Sequence, residues 1–253
     1  MLEKYYVPAG EHWVDLGSGH DPATWEAALH TINGVIWDTY SALPSDIAAT
    51  LHAGLGVMLF QGYDPAAWSQ PKQATIRANQ AINYARSVHY PAGSVLWLDF
   101  EDCTLPATAI IPWLTQWYLT VQRSGYAPGL YVGAPQPLTS AQLYALPFTH
   151  YWRSVSTVPD VAIRGYQLDQ TGANALLDGV YVDTDQVRAD CKGGRPIAMR
   201  LGKDPAKSPP KPAPVVPPAS LSIPLSLLTT LETQSTDLQQ TIAAIHALER
   251  KDA

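Results

Sequence analysis

The sequence predicts an α/β fold in residues 1–200, a degenerate (β/α)8 barrel of the TIM type, followed by a linker and a helix. Short β-rich runs alternate with amphipathic helical patterns, which is typical of a parallel sheet. Eight such runs fit into about 200 residues, the size of one compact barrel. The connections after the sixth and seventh runs are too short for full helices, so we expect a degenerate rather than a regular barrel.

The β-rich runs define the predicted strands in chain order. These strands cover residues 12–16, 35–40, 57–63, 95–101, 129–132, 150–155, 164–169 and 180–185. The clearest helical patterns cover residues 22–29, 73–88 and 110–123. An open doubly wound sheet is the alternative. It is disfavoured because the turn Gly17-Ser18-Gly19 after the first run lacks the third glycine of a dinucleotide-binding loop.

The C-terminal region has a different composition. Residues 201–220 are rich in proline, which predicts an extended and semi-rigid linker. Residues 221–253 predict an amphipathic or coiled-coil helix, because large apolar residues recur there at steps of three and four. These residues are Leu228, Leu231, Leu238, Ile242 and Ile245. We expect this helix to mediate self-association or to bind another phage or structural protein; docking on the barrel is the alternative.

Composition excludes several classes of protein. The chain has 16 Lys and Arg against 22 Asp and Glu, a net charge of −6, which argues against nucleic acid as a partner. No apolar run approaches the ~18 residues of a membrane span. The first residues contain Glu3, Glu11 and Asp15 and no apolar stretch, so we expect no secretory signal peptide. Cys103 and Cys191 match no metal spacing, and we expect two free thiols rather than a disulfide.

Acidic residues gather at the ends of the predicted strands, where a (β/α)8 barrel has its active site. Asp15 ends the first strand, Asp99 and Glu101 end the fourth, and Asp183 and Asp185 end the eighth. Because side chains alternate along a strand, Asp99 and Glu101 share one face, as do Asp183 and Asp185. Buried carboxylate pairs are costly unless they are hydrogen-bonded or functional. This pattern favours a catalytic site.

Other acids have a structural interpretation. Asp21, Asp38 and Asp64 follow predicted strands or precede helices, and Asp often caps such segments. A divalent metal site is a further interpretation of the acidic ends, since oxygen ligands suit Mg²⁺ or Ca²⁺. It ranks last because no His accompanies the acids, and we expect neither a metal nor a cofactor.

Aromatic residues support a glycan ligand. The chain has 8 Trp and 13 Tyr but only three Phe. Trp and Tyr combine an apolar face with a polar group, which suits stacking on sugar rings, although each could instead fill the core. The predicted substrate-binding residues at the strand ends are Trp37, Tyr63, Tyr131, Trp152, Tyr166, Gln167 and Asp185.

The ordered acids resemble the lysozyme-type glycoside hydrolases of family 25 and a related "glycoside hydrolase-like" group of bacterial and phage proteins. The resemblance covers roughly residues 8–190, and its most specific element is Leu98-Asp99-Phe100-Glu101. It includes Asp15, the pair Tyr166-Gln167, and the run Val182-Asp183-Thr184-Asp185. The chain departs from family 25 at Val14-Asp15-Leu16-Gly17, where Asp-x-Ser is usual, and at Gly165-Tyr166-Gln167, where Trp-Gln-Tyr is usual.

The resemblance implies a role for each acid. Glu101 corresponds to the proton donor, and Asp99, Asp15 and Asp183 correspond to the remaining acids of the site. Glycoside hydrolysis needs one protonated carboxyl group and one ionised group. We expect burial and the charge of Asp99 to raise the pKa of Glu101, while Asp15, Asp99 and Asp183 provide negative charge.

Two functions from different classes follow. The first is a lysozyme-like hydrolase of bacterial peptidoglycan, encoded by a phage as an endolysin or a virion-associated enzyme. The second is a catalytically inactive glycan-binding or structural barrel of a phage particle or secretion assembly, which the linker and the C-terminal helix favour. In either case we expect the protein in a phage virion, or in the host cytoplasm before release to the cell wall.

Overall fold

The computed structural model describes residues 1–16, 31–177 and 179–202. These residues contain ten strands and five helices. The strands are β1 (Leu2–Tyr6), β2 (His12–Leu16), β3 (Gly34–Asp38), β4 (Gly56–Gln61), β5 (Val95–Phe100), β6 (Ala127–Val132), β7 (His150–Arg153), β8 (Leu168–Leu177), β9 (Val180–Val187) and β10 (Ile197–Leu201). The helices are α1 (Pro44–His52), α2 (Pro65–Trp68), α3 (Pro71–Ser87), α4 (Ala107–Arg123) and α5 (Ser140–Ala145).

Eight of the strands form a closed barrel, which confirms the predicted barrel. The ring runs in chain order from β2 to β9, with β4 hydrogen-bonded to β5 and β9 hydrogen-bonded back to β2. Neighbouring strands from β2 to β8 are parallel. Their carboxyl ends therefore meet at one end of the barrel, called the rim here; the other end is the base.

The last strand of the ring runs in the opposite direction to the others. β9 is antiparallel to both β8 and β2, so the predicted parallel orientation of the eighth strand is wrong. The physical reason is the connection, since only two residues separate Leu177 from Val180. A parallel crossover needs a dozen or more residues, whereas two residues suffice for a hairpin.

The elements of the first two thirds of the barrel follow the sequence pattern. β2 has the predicted bounds, and helices predicted at 73–88 and 110–123 correspond to α3 and α4. The predicted helix at 22–29 lies outside the described residues. The sequence did not predict α1, α2 or α5, and it did not predict the antiparallel pair of β1 and β10. β10 also pairs with β4, through Met199 and Val57.

Alternation along each strand divides the core into two layers. In β5, Leu96, Leu98 and Phe100 point outward into the layer shared with the helices, as predicted, and Trp97 points into the barrel. At the base, the ring of Trp13 fills the barrel beside Gly56, where an added Cβ would lie 2.6 Å from the indole. The interior of the barrel therefore has large aromatic residues near the base and carboxylates near the rim.

Several smaller predictions have clear outcomes. Cys103 and Cys191 are free thiols. Asp64 caps α2 by accepting a hydrogen bond from the N–H of Ala66, the structural role expected for it. In the described part of the chain, no helix has the length and apolar character needed to cross a membrane. The linker at 201–220, apart from its first two residues, and the helix at 221–253 lie outside the described residues and stay predictions.

Candidate active site

Three strands carry acids on their inward faces at the rim. Asp15 of β2 is paired in register with Asp183 of β9. Asp99 of β5 lies two residues beyond Trp97 and therefore points into the barrel as that ring does. Glu101 follows β5 directly. Because β5 and β9 lie on opposite sides of the ring, the acids face each other across the barrel.

A pocket of about 320 Å³ opens between these acids. Its walls combine carboxylates, aromatic rings and one amide, the composition of many ligand sites. The lining residues are Asp15, Asp38, Tyr40, Phe60, Gly62, Tyr63, Asp99, Glu101, Tyr131, Trp152, Gln170 and Asp183.

Glu101 is held closely from two sides. The indole N–H of Trp68 donates a hydrogen bond of 3.1 Å to its backbone carbonyl oxygen. On the other side lies Gly133, where an added Cβ would fall on the carboxylate Oε2 and lie 2.7 Å from the Cβ of Glu101. Glu101 is followed by Asp102 in the left-handed region, with φ of 50°. Only glycine at 133 leaves the room that this carboxylate occupies.

Gln170 connects the acids on the opposite wall. Its Nε2 donates to Asp183 Oδ2 at 2.9 Å and to Asp15 Oδ2 at 3.3 Å. Its Oε1 accepts from the hydroxyl of Tyr131 at 3.2 Å and from the N–H of Val155 at 3.0 Å. Since both amide atoms have matching partners, the orientation of the amide is fixed. Gln170 therefore sets the position of two carboxylates at once.

Asp183 and Asp185 lie at different depths on the inward face of β9. Asp183 lines the pocket, and its Oδ1 accepts a hydrogen bond of 2.7 Å from the N–H of Asn174. Asp185 is 1% exposed and accepts a hydrogen bond of 2.8 Å from the indole of Trp152. Burial, and then the neighbouring charge of Asp15, raise the pKa of Asp185 well above its ordinary value. The raised pKa favours the protonated form of Asp185, which lies beneath Asp15 on the neighbouring strand.

Two acids of the pocket have pKa values near neutrality. Burial, followed by the charges of Asp102 and Asp183, raises the pKa of Glu101 to about 7. Burial, followed by the charge of Asp183, raises the pKa of Asp15 to about 7 as well. Asp99 and Glu101 also interact, and this interaction raises the pKa of Asp99.

Asp99 is the most buried of the acids that line the pocket. It is 8% exposed, and burial together with the nearby Glu101 raises its pKa well above the ordinary value. Its Oδ2 accepts one long hydrogen bond, 3.4 Å, from the N–H of Tyr63, and within the described residues its Oδ1 accepts none. Burial and the scarcity of donors thus favour the protonated form of Asp99, whereas the expected role of Asp99 was to provide negative charge.

The predicted site residues fall into two groups. Asp15, Asp99, Glu101 and Asp183 meet in one pocket, and Asp185 lies beneath them. Tyr63, Tyr131 and Trp152 also line this pocket. The remaining three, Trp37, Tyr166 and Gln167, lie elsewhere.

Trp37 and Tyr166 belong to the outer layer of the core. Trp37 points away from the barrel interior, is fully buried, and donates a hydrogen bond of 3.1 Å from its indole to Thr50. Tyr166 precedes β8 and donates its hydroxyl proton to the carbonyl oxygen of Pro159. Both were expected at the rim because they lie near strand ends in the sequence, but their side chains point to the outer face.

Gln167 lies at the base. Its Nε2 donates to Asp190 Oδ2 at 2.8 Å and to the carbonyl oxygen of Thr149 at 2.9 Å. The predicted strand ended at residue 169, whereas β8 begins at Leu168 and continues to Leu177. Residue 167 is therefore at the start of the strand, and the glutamine that reaches the acids is Gln170.

Gln170 and several other lining residues are not among the predicted site residues. The inward face of β8 carries Leu168 and Gln170, so a two-residue alternation starting from the apolar Leu168 would have found it. Asp38 accepts hydrogen bonds from the N–H groups of Tyr40 and Gly62, as the capping interpretation predicted, and it also lines the pocket.

The arrangement suits acid-assisted chemistry on a sugar. A carboxyl group that keeps its proton near pH 7 lies across the pocket from an acid pair positioned by an amide. Trp152, Tyr131 and Phe60 provide aromatic surface beside the acids. In the described part of the chain, no group of three or more His, Cys, Asp and Glu has the geometry to hold a metal ion.

Comparisons with known proteins point to one family. A family model described as "Rv2525c-like, glycoside hydrolase-like domain" matches residues 37–189, more than half of the chain, and confirms the resemblance to the glycoside hydrolase-like group. No curated protein matches the sequence.

Solved structures share the fold. A 1.07 Å structure of an uncharacterized protein of B. stearothermophilus is 17% identical with a TM-score of 0.56, covering 71% of this chain and 96% of that one. The modular autolysin LytC of Streptococcus pneumoniae is 12% identical with a TM-score of 0.52, covering 70% of this chain and 46% of LytC. LytC has also been solved in complex with a synthetic peptidoglycan ligand. This chain thus spans about half the length of the autolysin.

Proposed function

This chain belongs to the Rv2525c-like, glycoside hydrolase-like family, and we propose that it is a lysozyme-like hydrolase of bacterial peptidoglycan. The observation that carries the proposal is Glu101, a carboxyl group with a pKa of about 7 that faces Asp15 and Asp183 across an aromatic pocket. Proximity of an acid and an ionised group on two sides of one pocket is what hydrolysis of a glycosidic bond requires.

In the proposed reaction Glu101 protonates the oxygen of the leaving sugar. Its raised pKa keeps the proton available near neutral pH, where an ordinary glutamic acid would have lost it. The sugar left behind develops positive charge at the anomeric carbon as the bond breaks. Asp183, held by Gln170 and by the N–H of Asn174, is positioned to stabilise that charge and to orient a water or the acetamido group of the substrate.

The remaining acids have supporting roles in this proposal. Asp99 lies in the pocket wall, and its raised pKa favours a protonated form that would donate a hydrogen bond to the substrate. Asp15 shares the Gln170 amide with Asp183 and lies above the buried Asp185. In this division Glu101 on the β5 side provides the proton, and Asp183 on the β9 side faces the positive charge of the sugar.

Peptidoglycan is the substrate that the comparisons favour. LytC, which has a similar fold, is an autolysin solved with a synthetic peptidoglycan ligand. The acetylated amino sugars of that polymer carry apolar ring faces and polar groups. Tyr63, Tyr131 and Trp152 provide matching surface along the pocket.

The test is release of new reducing ends from purified peptidoglycan by the full chain and by Glu101→Gln. We expect the substitution to lower the rate by about 10²–10⁴, the contribution of a positioned general acid. Glu3→Gln is the matched control, because Glu3 lies on β1 and pairs with Arg200 away from the pocket. Absence of release by the wild type, or equal release by Glu101→Gln, would overturn the proposal. Binding without cleavage would favour the inactive glycan-binding barrel.

The predicted linker at 201–220 and helix at 221–253 enter the same proposal as an attachment segment. An apolar helical face beyond a stiff linker favours association with a partner or with another copy of the chain. Light scattering on the full chain and on a chain that ends at Gly202 tests this. If both are monomers and the segment captures no partner, the attachment role is wrong.

A further inference from the structure

The hairpin of β8 and β9 extends beyond the acids of the pocket. Past the level of Asp183, the two strands continue through the pairs Ala175 with Val182, Leu176 with Tyr181, and Leu177 with Val180. Within the described residues, the pairing of β2 with β9 ends at Asp15 with Asp183, and the hairpin continues past this pair.

The two faces of the outer hairpin are different. Val180 and Val182 are buried in the outer core layer, with Ala175 packed against it. On the other face, Leu176 is 63% exposed and Tyr181 is 66% exposed. An exposed cross-strand pair of two large apolar side chains is unusual on a hairpin that has a well-packed reverse side.

Tyr181 is on the same face as the catalytic candidates. Side chains alternate along β9, so Tyr181, Asp183 and Asp185 point to the pocket side, and Val180 and Val182 point away from it. Two residues of strand place Tyr181 about 7 Å farther out than Asp183. Leu176, directly opposite Tyr181, widens the same surface.

A second exposed tyrosine lies across the mouth of the pocket. Tyr63, which is 45% exposed, follows β4 and lines the pocket. In the ring of eight strands, β4 and β5 lie opposite β8 and β9. The acids therefore lie between two walls that each present a tyrosine, and the hairpin wall reaches farther from the barrel.

We propose that Leu176 and Tyr181 form an outer sugar-binding platform, so that the substrate is a glycan strand that continues from the pocket across the hairpin. The inference rests on the proposed function and specifies its substrate as a polymer cleaved within the chain. A sugar ring has an apolar face that suits the ring of Tyr181, and its hydroxyl groups stay in water at this exposed position. A short sugar seated at the acids does not reach the platform.

The platform predicts an affinity that depends on chain length. Binding is measured by calorimetry in the Glu101→Gln background, which prevents cleavage, with N-acetylglucosamine oligomers of two and of six rings. We expect the added substitution Tyr181→Ala to lower the ratio of six-ring to two-ring affinity about three- to tenfold, the size of one aromatic contact. Tyr181→Phe should retain the ratio, because the stacking surface is unchanged.

Tyr6→Ala is the matched control, since Tyr6 is 65% exposed on β1, outside the barrel ring. An unchanged ratio for Tyr181→Ala, an equal loss for both oligomers, or no binding of the six-ring oligomer would overturn the platform. These outcomes are independent of the cleavage assay. If the wild type cleaves peptidoglycan but Tyr181→Ala leaves the ratio of six-ring to two-ring affinity unchanged, the proposed function stands and the platform is wrong. If Tyr181→Ala lowers that ratio but the wild type cleaves nothing, the platform stands and the proposed function is wrong.

Discussion

The rim and the base of the barrel each bury an aspartate, and the pKa values of the two shift in opposite directions. At the base, Asp190 is 6% exposed and accepts hydrogen bonds from Arg164, Gln167 and the N–H groups of Lys192 and Gly194. Burial alone would raise the pKa of Asp190, but these hydrogen bonds outweigh burial and the pKa is lowered. This carboxylate is a fully partnered structural group.

At the rim, Asp99 is buried to a similar extent but has few partners. It is 8% exposed, it accepts one long hydrogen bond from Tyr63, and its pKa is raised. Exposure is thus similar at the two ends, and the partners set the direction of the pKa shift: Asp190 has four donors that include Arg164, whereas Asp99 has one long hydrogen bond and the negative Glu101 as a neighbour. A buried acid with satisfied oxygens stabilises the fold, whereas a cluster of acids short of donors indicates chemistry.

Among the variants that leave the acids of the rim in place, the largest effect is expected from Gly133→Ala. The added Cβ would fall on Glu101, so the whole side chain of the acid must move. We expect kcat to fall about a hundredfold, the cost of displacing a catalytic group by about 1 Å. Gly172→Ala is the control, because its Cβ would meet only the hydroxyl of Thr184, at 3.0 Å. A wild-type rate for Gly133→Ala would mean that the position of Glu101 does not limit the reaction.

The two glutamines of the β8 region separate catalysis from stability. Gln170→Ala removes the donor to Asp15 and Asp183, and we expect kcat/KM to fall about tenfold or more, since hydrogen bonds to charged groups contribute ~1.5–3 kcal/mol. Gln167→Ala removes a donor to Asp190 at the base. We expect it to lower the free energy of unfolding by about 1–3 kcal/mol and to leave kcat/KM unchanged. If Gln167→Ala lowered kcat/KM and Gln170→Ala did not, the catalytic role of the rim and the structural role of the base would be assigned wrongly.

These glutamines also show how far the sequence could predict the site. Asp99 and Glu101 were found because β5 is a short apolar strand whose alternation begins and ends clearly. Gln167 is predicted from the Tyr166-Gln167 pair of the family resemblance, and Gln170 is not predicted because the sequence around β8 gives no clear strand bounds. The strand continues for ten residues with two irregularities in its pairing, which alternation does not predict.

The direction of β9 had a visible sign in the sequence. The predicted seventh strand ends at residue 169 and the eighth begins at 180, and the ten residues between them are fewer than the dozen that a parallel crossover needs, yet eight β-rich runs favoured a fully parallel barrel. Asp183 still reaches the rim, because the antiparallel pairing places it opposite Asp15. β1 and β10 were missed because a pair of strands distant in sequence depends on long-range contacts rather than on local pattern.

The two ends should also differ in how stability depends on pH. Glu101 has an ordinary pKa of 4.5 and a folded value of about 7, so the folded state binds the extra proton between these pH values. The free energy of unfolding should therefore fall as pH rises from about 4.5 to about 7. Asp190 affects stability in the opposite direction, because its pKa is lowered in the folded state. The stability that Asp190 contributes is present above the ordinary pKa of 3.8 and is lost as pH falls through the folded pKa.

Urea unfolding across this range checks both signs with one variant for each end. Glu101→Gln should reduce the loss of stability between pH 4.5 and 7. Asp190→Asn should lower stability at neutral pH and weaken the dependence at the acid end. If Glu101→Gln leaves the fall in the free energy of unfolding between pH 4.5 and 7 unchanged, Glu101 does not hold an extra proton in the folded state.

The smallest effect is expected from Asp102→Asn, which alters the charge beside the proposed acid without touching it. The charge of Asp102, after burial, raises the pKa of Glu101, so its removal should lower that pKa. Because Glu101 must be protonated to act, the alkaline limb of kcat/KM should move to lower pH. Asn tolerates the left-handed backbone of residue 102, with φ of 50°, so the fold should be retained.

The control for this shift is Asp160→Asn, which removes one charge from a largely exposed side chain that pairs with Arg153. An effect of overall charge would move the alkaline limb equally in both variants, whereas an effect on Glu101 would move it in Asp102→Asn alone. Added salt should narrow the difference between wild type and Asp102→Asn, since Asp102 is exposed and its charge is screened. A shift to higher pH in Asp102→Asn would contradict the assignment of Glu101 to the alkaline limb. Removal of a neighbouring negative charge lowers the pKa of a carboxyl group and cannot raise it.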